Sequence, residues 1–137
     1  MYPEQLTIPM AQDLTSHGFE SLSTPEAVSE VLEQQEGTVL LVVNSVCGCA
    51  AANARPGAKL AVAHDKVPNR LVTVFAGVDQ DATAKAREYM LPYPPSSPSI
   101  ALFKDGRLVH FLERHHIEGR SKEIIAENLK MAFDRYC

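Results

Sequence analysis

The stretch Thr38–Pro56, TVLLVVNSVCGCAAANARP, decides the fold. Five branched or leucine side chains, Val39 to Val43, run without a polar interruption. A short apolar run of that kind suits a strand buried on both faces, as in the middle of a parallel sheet. Asn44 and Ser45 end the run, and Cys47-Gly48-Cys49 follows. Four alanines within Ala50–Ala54, then Lys59, Leu60 and the alanines around them, favour helix. Two cysteines are therefore expected where a buried strand turns into a helix N-terminus.

That junction has chemistry attached to it. The first turn of a helix leaves its backbone N–H groups unpaired and carries partial positive charge. A thiolate there is stabilised relative to the thiol, so its pKa falls below the free-cysteine value of ~8.5. The thiolate is the attacking species in disulfide exchange, which makes a cysteine at this place a candidate nucleophile. Cys47, nearer the loop, is expected to be the more exposed, with Cys49 inside the first turn. Residues two apart on a helix point about 200° apart, so the sulfurs cannot meet if both residues are helical. With Cys47 in the loop, a bridge still closes a very small, strained ring that is readily reduced. Mixed disulfides between Cys47 and an external thiol are expected over a lasting Cys47–Cys49 bond. Gly48 keeps the approach to sulfur free of a side chain and relaxes the local backbone.

The run VNSVCGCAAANARPG (residues 43–57), in a chain of this length with a cysteine at its last position, resembles the bacilliredoxin family, small thioredoxin-like proteins with a Cys-Gly-Cys centre. The likeness extends over most of the chain. It implies a thiol-disulfide oxidoreductase that removes the small thiol bacillithiol from mixed disulfides on cytosolic proteins, and a weak disulfide isomerase activity. The partners it implies are bacillithiolated client proteins, with bacillithiol as thiol co-substrate and no bound cofactor.

Composition fits that class. At 137 residues the expected count is one domain, residues 1–137, with room for one well-buried core. Hydrophobic content of 45% and charged content of 22% are ordinary for a soluble globular protein. A net charge of −4 offers no basic patch to recruit nucleic acid or an anionic membrane. Met1 to Met10 has no basic residue and no apolar run, so no secretory signal is expected. No stretch approaches the ~20 apolar residues a membrane-spanning helix needs. Three cysteines, an odd count, point to the cytoplasm and to reduced thiols.

Outward from the central stretch the signals vary in strength. Residues 2–18 suggest only a short helix around Gln12–His17 and then a loop. Thr24-Pro25-Glu26 is a clear helix start, with a capping hydroxyl, a proline for the first helical position and an acid in the first turn. Val28, Val31 and Leu32 share one helical face, and Gly37 is placed to stop the helix. The Cys-Gly-Cys helix is expected to run to about His64, kinked or restarted at Pro56. Arg70–Phe75 reads as a second strand, and strand, helix, strand implies a right-handed parallel βαβ unit. Residues 77–81 form a loop with a cap, and Ala82–Tyr89 favours helix. LPYPPSSPS, residues 91–99, holds four prolines that no helix or central strand would tolerate. Ile100–Phe103 and Leu108–Leu112 flank Asp105-Gly106, a strong hairpin signal. A last helix, about Ser121–Tyr136, keeps Ile125, Leu129, Ala132, Phe133 and Tyr136 on one face.

The order describes an α/β fold with a mixed β-sheet of about four strands and helices on both faces. It is also the thioredoxin-like order, and the resemblance gives Pro98 a meaning. In that fold a cis-proline precedes the strand that opens the hairpin and lies beside the active cysteine; Pro98 is the matching position. Cis X–Pro bonds are only about 5–6% of such bonds, so this expectation rests on the resemblance. The backbone at Ser97 would then face the Cys47 sulfur and could pair with a substrate chain as an added strand.

Blander readings stand beside these. Cys47 and Cys49 could be small core residues at a strand end. They could also form a non-enzymatic metal or redox-sensing module, with Cys137 or a histidine completing a zinc site. The one-residue spacer and the lack of a second cysteine pair count against zinc. Cys137 reads as an exposed spectator at a helix end. His115 and His116 are placed near the end of the last strand, facing opposite sides and so poorly placed to share an ion. His17 and His64 are isolated and read as structural. Arg55 is read as a surface charge, or alternatively as a source of positive potential near the thiolate. Asn44 and Ser45 are assigned local hydrogen bonds to the loop backbone and no catalytic role.

Overall fold

The computed structural model describes residues 2–137; Met1, at the head of the expected 1–137 domain, lies outside the described residues. The strands are β1 Glu20–Ser21, β2 Thr38–Asn44, β3 Arg70–Phe75, β4 Ser99–Lys104 and β5 Arg107–Leu112. The helices are α1 Glu4–Thr15, α2 Pro25–Leu32, a π-helical turn Ala50–Ala54, α3 Arg55–Ala61, α4 Gln80–Glu88, α5 Arg114–Ile117 and α6 Lys122–Tyr136. The sheet runs β1-β3-β2-β4-β5. β3 is parallel to β1 and β2, while β2–β4 and β4–β5 are antiparallel.

Every residue of β2 is buried, as its unbroken apolar run requires. Because side chains alternate along a strand, that run serves two cores at once. Leu40 and Val42 face Ala54, Ala58 and Ala61 of the segment after the cysteines and Ile125, Leu129 and Phe133 of α6. Val39, Leu41 and Val43 face Val28, Val31 and Leu32 of α2 and Ala82 and Ala86 of α4. Thus β2 is central both in the sheet and between the two helical layers.

The starts of α2 and α6 follow their sequence signals. Thr24 Oγ1 accepts from the Ala27 N–H at 3.1 Å, with Pro25 as the first helical residue. Ser121 Oγ accepts from the Ile124 N–H at 3.1 Å. Asp105 and Gly106 turn the hairpin at φ 52° and 81°, the left-handed pair such a two-residue turn requires.

Four expectations need correction. The sheet has five strands, because Glu20–Ser21 pairs with Val72 and Thr73, with Glu20 also meeting Arg70 of β3 at 2.7 Å. Two exposed polar residues give no alternating pattern to read. The first helix spans Glu4–Thr15 instead of starting near Gln12; only Thr7 and Leu14 of it are buried, so its periodicity is faint. Gly37 does not end α2, which stops at Leu32. His115 and His116 lie in α5, beyond the last strand.

The helix after the cysteines is split at the proline. The Arg55 N–H bonds the Ala50 carbonyl five residues back, the wide spacing of a π-turn. Pro56, which has no N–H to donate, then sits in the first turn of α3, directly after the wide turn. Gly57 brings α3 against α6: a Cβ there would lie 2.6 Å from Ile125 Cγ2. Among the described residues, no helix is long and apolar enough to cross a membrane.

Candidate active site

The C-terminal end of β2 delivers the chain to the cysteines through a fixed corner. Asn44 and Ser45 are buried. Asn44 Oδ1 accepts from the Ser45 N–H and from Arg55 Nη1, both at 2.9 Å, and its Nδ2 donates to the Met10 carbonyl at 3.1 Å. Ser45 Oγ in turn accepts from the Cys47 N–H at 3.1 Å. The local hydrogen bonds assigned to this pair are present, and they also reach α1 and α3.

Arg55 is not a surface charge. It is 4% exposed, with Nη1 donating to Asn44 Oδ1 and to the Ser45 carbonyl at 3.1 Å, and Nε to Asp13 Oδ2 at 3.1 Å. Lys59 Nζ meets the other Asp13 oxygen at 2.6 Å. Burial works against ionisation of Asp13, but Lys59 and Arg55 outweigh it and hold the carboxyl below its ordinary value. The network ties the corner before the cysteines to the first helix and to α3. Its long-range partner, Asp13, is 42 residues away in sequence, too far for local spacing to reveal.

Cys47 lies outside the helix and is partly exposed, while Cys49 is in the first helical turn and 9% exposed. Because only Cys49 is helical, the sulfurs do meet: Sγ to Sγ is 2.7 Å, with both thiols free. The Cys49 N–H also points at Cys47 Sγ, at 3.4 Å. The side chain and backbone N–H of Cys49 push the Cys47 thiol below its ordinary pKa; burial opposes this and the charge of Arg114 assists. Burial and then the neighbouring Cys47 push the Cys49 thiol up. Donation to the anionic form stabilises it, whereas desolvation disfavours it. Gly48 is exposed, and a Cβ there would meet nothing within 4 Å.

The Ser97-Pro98 bond is cis, as is Leu91-Pro92, which nothing in the sequence marked out. Ser97 lines the same cleft as Cys47, and Pro98 is buried behind it. Arg114, absent from the sequence-derived candidates, lines this cleft too, 3.5 Å from the Ser97 carbonyl and paired with Glu118. The signal that could have found it is its place two residues beyond the last strand, at the same sheet end as Pro98.

The remaining candidates lie apart. The Cys137 thiol lies beside Thr38, at the opposite end of β2, so it does not approach the pair. His64 bonds Asp134 on α6 at 2.9 Å, and His17 bonds the Asp13 carbonyl at 3.1 Å. In α5 the His115 and His116 rings are 4.0 Å apart, and Glu113, His115 and His116 bring ligand atoms within 4.8 Å of one another. A strand end would place the two rings poorly for such a grouping; one helical turn creates it. His116 Nδ1 already accepts from the Glu113 N–H at 3.0 Å.

Comparison with known proteins agrees with this geometry. A family model described as Disulphide isomerase matches residues 2–137. A protein named bacilliredoxin from Cytophaga hutchinsonii is 62% identical over 134 residues, covering 98% of each chain. A bacilliredoxin from Bacillus cereus is 56% identical over 137 residues, covering 99% of this chain and 95% of its own. Among solved structures, mitochondrial thioredoxin 3 from Saccharomyces cerevisiae superposes with a TM-score of 0.59 at 17% identity, covering 90% of this chain and 98% of that one. Fasciola hepatica thioredoxin gives 0.57 at 15% identity, covering 87% and 100%. The structural likenesses show a thioredoxin-like fold, and the sequence matches carry the assignment further. The chain belongs to the bacilliredoxin family of thiol-disulfide oxidoreductases.

Proposed function

We propose that this protein removes bacillithiol from mixed disulfides on client proteins in the cytoplasm, with Cys47 as nucleophile and a weak disulfide isomerase activity besides. The observation that carries the reading is the asymmetry of the pair: a partly exposed Cys47 at the cleft mouth, backed by a buried Cys49 2.7 Å away. In the first step the Cys47 thiolate attacks the bacillithiol sulfur of the mixed disulfide. The client–sulfur bond breaks, the client leaves as thiolate and takes a proton from water, and bacillithiol remains on Cys47. Cys49, kept protonated by its surroundings, can then lose its proton and attack Cys47, releasing bacillithiol and leaving a Cys47–Cys49 bond. The same pair, approached by a client disulfide, supplies the reversible exchange an isomerase needs. Ser97, across the cleft, offers backbone to an extended client segment, and Pro98 shapes that loop.

The metal-binding alternative finds less support. Cys137 lies at the far end of β2, and among the described residues the grouping of three ligand-type side chains holds neither Cys47 nor Cys49.

The test is intact mass after incubation with a bacillithiolated client. Cys47→Ser is expected to lose client release, and Cys49→Ser to release client once and retain a single bacillithiol adduct. A Cys49→Ser protein dead in the first step would rule out attack by Cys47 alone, and stoichiometric zinc on the purified protein would favour the alternative.

A further inference from the structure

Beside Cys47 opens a cleft of about 370 Å³. Ser45, Ser97 and Tyr2 contribute to its walls, together with Arg87 and Arg114, and none of its lining residues is acidic. The two arginines differ in their state. Arg114 is exposed and shares its charge with Glu118 at 3.1 Å. The Arg87 side chain makes no hydrogen bond or ion pair among the described residues, and its Nε is buried without a partner. Burial also pushes its pKa down. Its place in the last turn of α4 suits a cation at a helix C-terminus, yet that accounts neither for the empty Nε nor for the side chain lining the cleft. A buried N–H without an acceptor is rare in native proteins and calls for a partner.

We propose that Arg87, with Arg114 beside it, makes this cleft a seat for a carboxylate-bearing small thiol, and that the seat decides which sulfur Cys47 attacks. The proposal rests on the thiol-exchange reading above and adds the substrate's charge class to it. A guanidinium presents planar paired donors that match a carboxylate. A mixed disulfide has two sulfurs, and attack on either is chemically possible. Docking the anionic small-thiol moiety in the cleft brings its own sulfur to Cys47. The new bond then forms between Cys47 and the small thiol, the old disulfide breaks, and the client departs as thiolate to be protonated by water. Arg87 is a binding and positioning residue and takes no proton.

The experiment uses one client cysteine carrying 3-mercaptopropionate (anionic), 2-mercaptoethanol (neutral) or cysteamine (cationic) as the mixed disulfide. The readout is the ratio of second-order rate constants for client release, anionic over neutral. Taking the ratio within each protein cancels any loss of correctly folded material. The wild type is expected to favour the anionic thiol about tenfold, the scale of one hydrogen-bonded charge pair, and to disfavour the cationic one. Arg87→Gln should bring the ratio close to one, while Arg87→Lys should keep part of it, and added salt should lower it in the wild type. A wild-type ratio near one, or an Arg87→Gln ratio equal to wild type, overturns the seat while leaving thiol exchange standing. If none of the three disulfides is reduced, the exchange reading falls and the seat falls with it.

Discussion

Cys47 and Cys49 are the same residue type two positions apart, yet their surroundings push them in opposite directions. One sulfur sits outside the helix and receives donors; the other is inside the first turn, buried and facing a developing thiolate. Alkylation by iodoacetamide at neutral pH should therefore label Cys47 first. Its labelling rate should rise with pH through an inflection below the free-cysteine value of ~8.5, while that of Cys49 should inflect above it. Replacing Cys49 with Ala removes the leading cause of the Cys47 shift and should move the Cys47 inflection upward. The backbone N–H and Arg114 remain, so the move should be partial. Peptide mass spectrometry across a pH series reads both sites, and faster labelling of Cys49 would overturn the assignment. The spacing of the pair was legible from sequence; their contact was not, because it depends on where the helix begins.

At the scale of elements, the corner between β2 and the cysteines is held by groups from α1 and α3. Asp13 accepts from the buried Arg55 and from Lys59, so its loss leaves a buried guanidinium short of an acceptor. Asp13→Asn should cost about 1.5–3 kcal/mol at neutral pH, the range for hydrogen bonds to charged groups. The carboxyl is held below its ordinary value, so its contribution is fully present above the unfolded pKa of ~3.9 and fades as pH falls through the folded value. The stability gap between wild type and variant should therefore narrow below about pH 4. Urea denaturation at several pH values checks this; a gap that stays constant down to pH 2 would show that the ion pairs do not carry it. These ion pairs were not visible in the sequence, where Arg55 reads as a surface charge or as a source of positive potential near the thiolate. An ion pair across dozens of residues leaves no local pattern.

For the whole molecule, the placement of the site depends on how closely α3 approaches α6. Gly57 has no room for a Cβ against Ile125 Cγ2, whereas Gly48 has open space. Gly57→Ala should therefore destabilise the protein by about 1–3 kcal/mol, the usual cost of overpacking, despite alanine's better helix propensity. Gly48→Ala should change stability by well under that amount. Denaturant midpoints for the two variants test the contrast. Equal midpoints would mean that α6 shifts freely and does not fix the segment carrying Cys49.

The strand β2, the strand-to-helix cysteine junction, the proline-rich loop, the hairpin turn and the last helix all follow from the sequence by itself. Each is written in local periodicity, capping residues or turn chemistry. The family was legible too, in the run from Val43 to Gly57. Only the tertiary structure decided the fifth strand, the full first helix, the meeting of the two sulfurs, the turn that pairs His115 with His116, and the arginines around the cleft. A two-residue edge strand is held by pairing, and by one ion pair, to a partner that is remote in sequence. A guanidinium on α4 and another on α5 face one cysteine because the sheet order brings their strand ends together. Local chemistry is encoded locally, whereas a site assembled from several strand ends exists only once the chain has closed on itself.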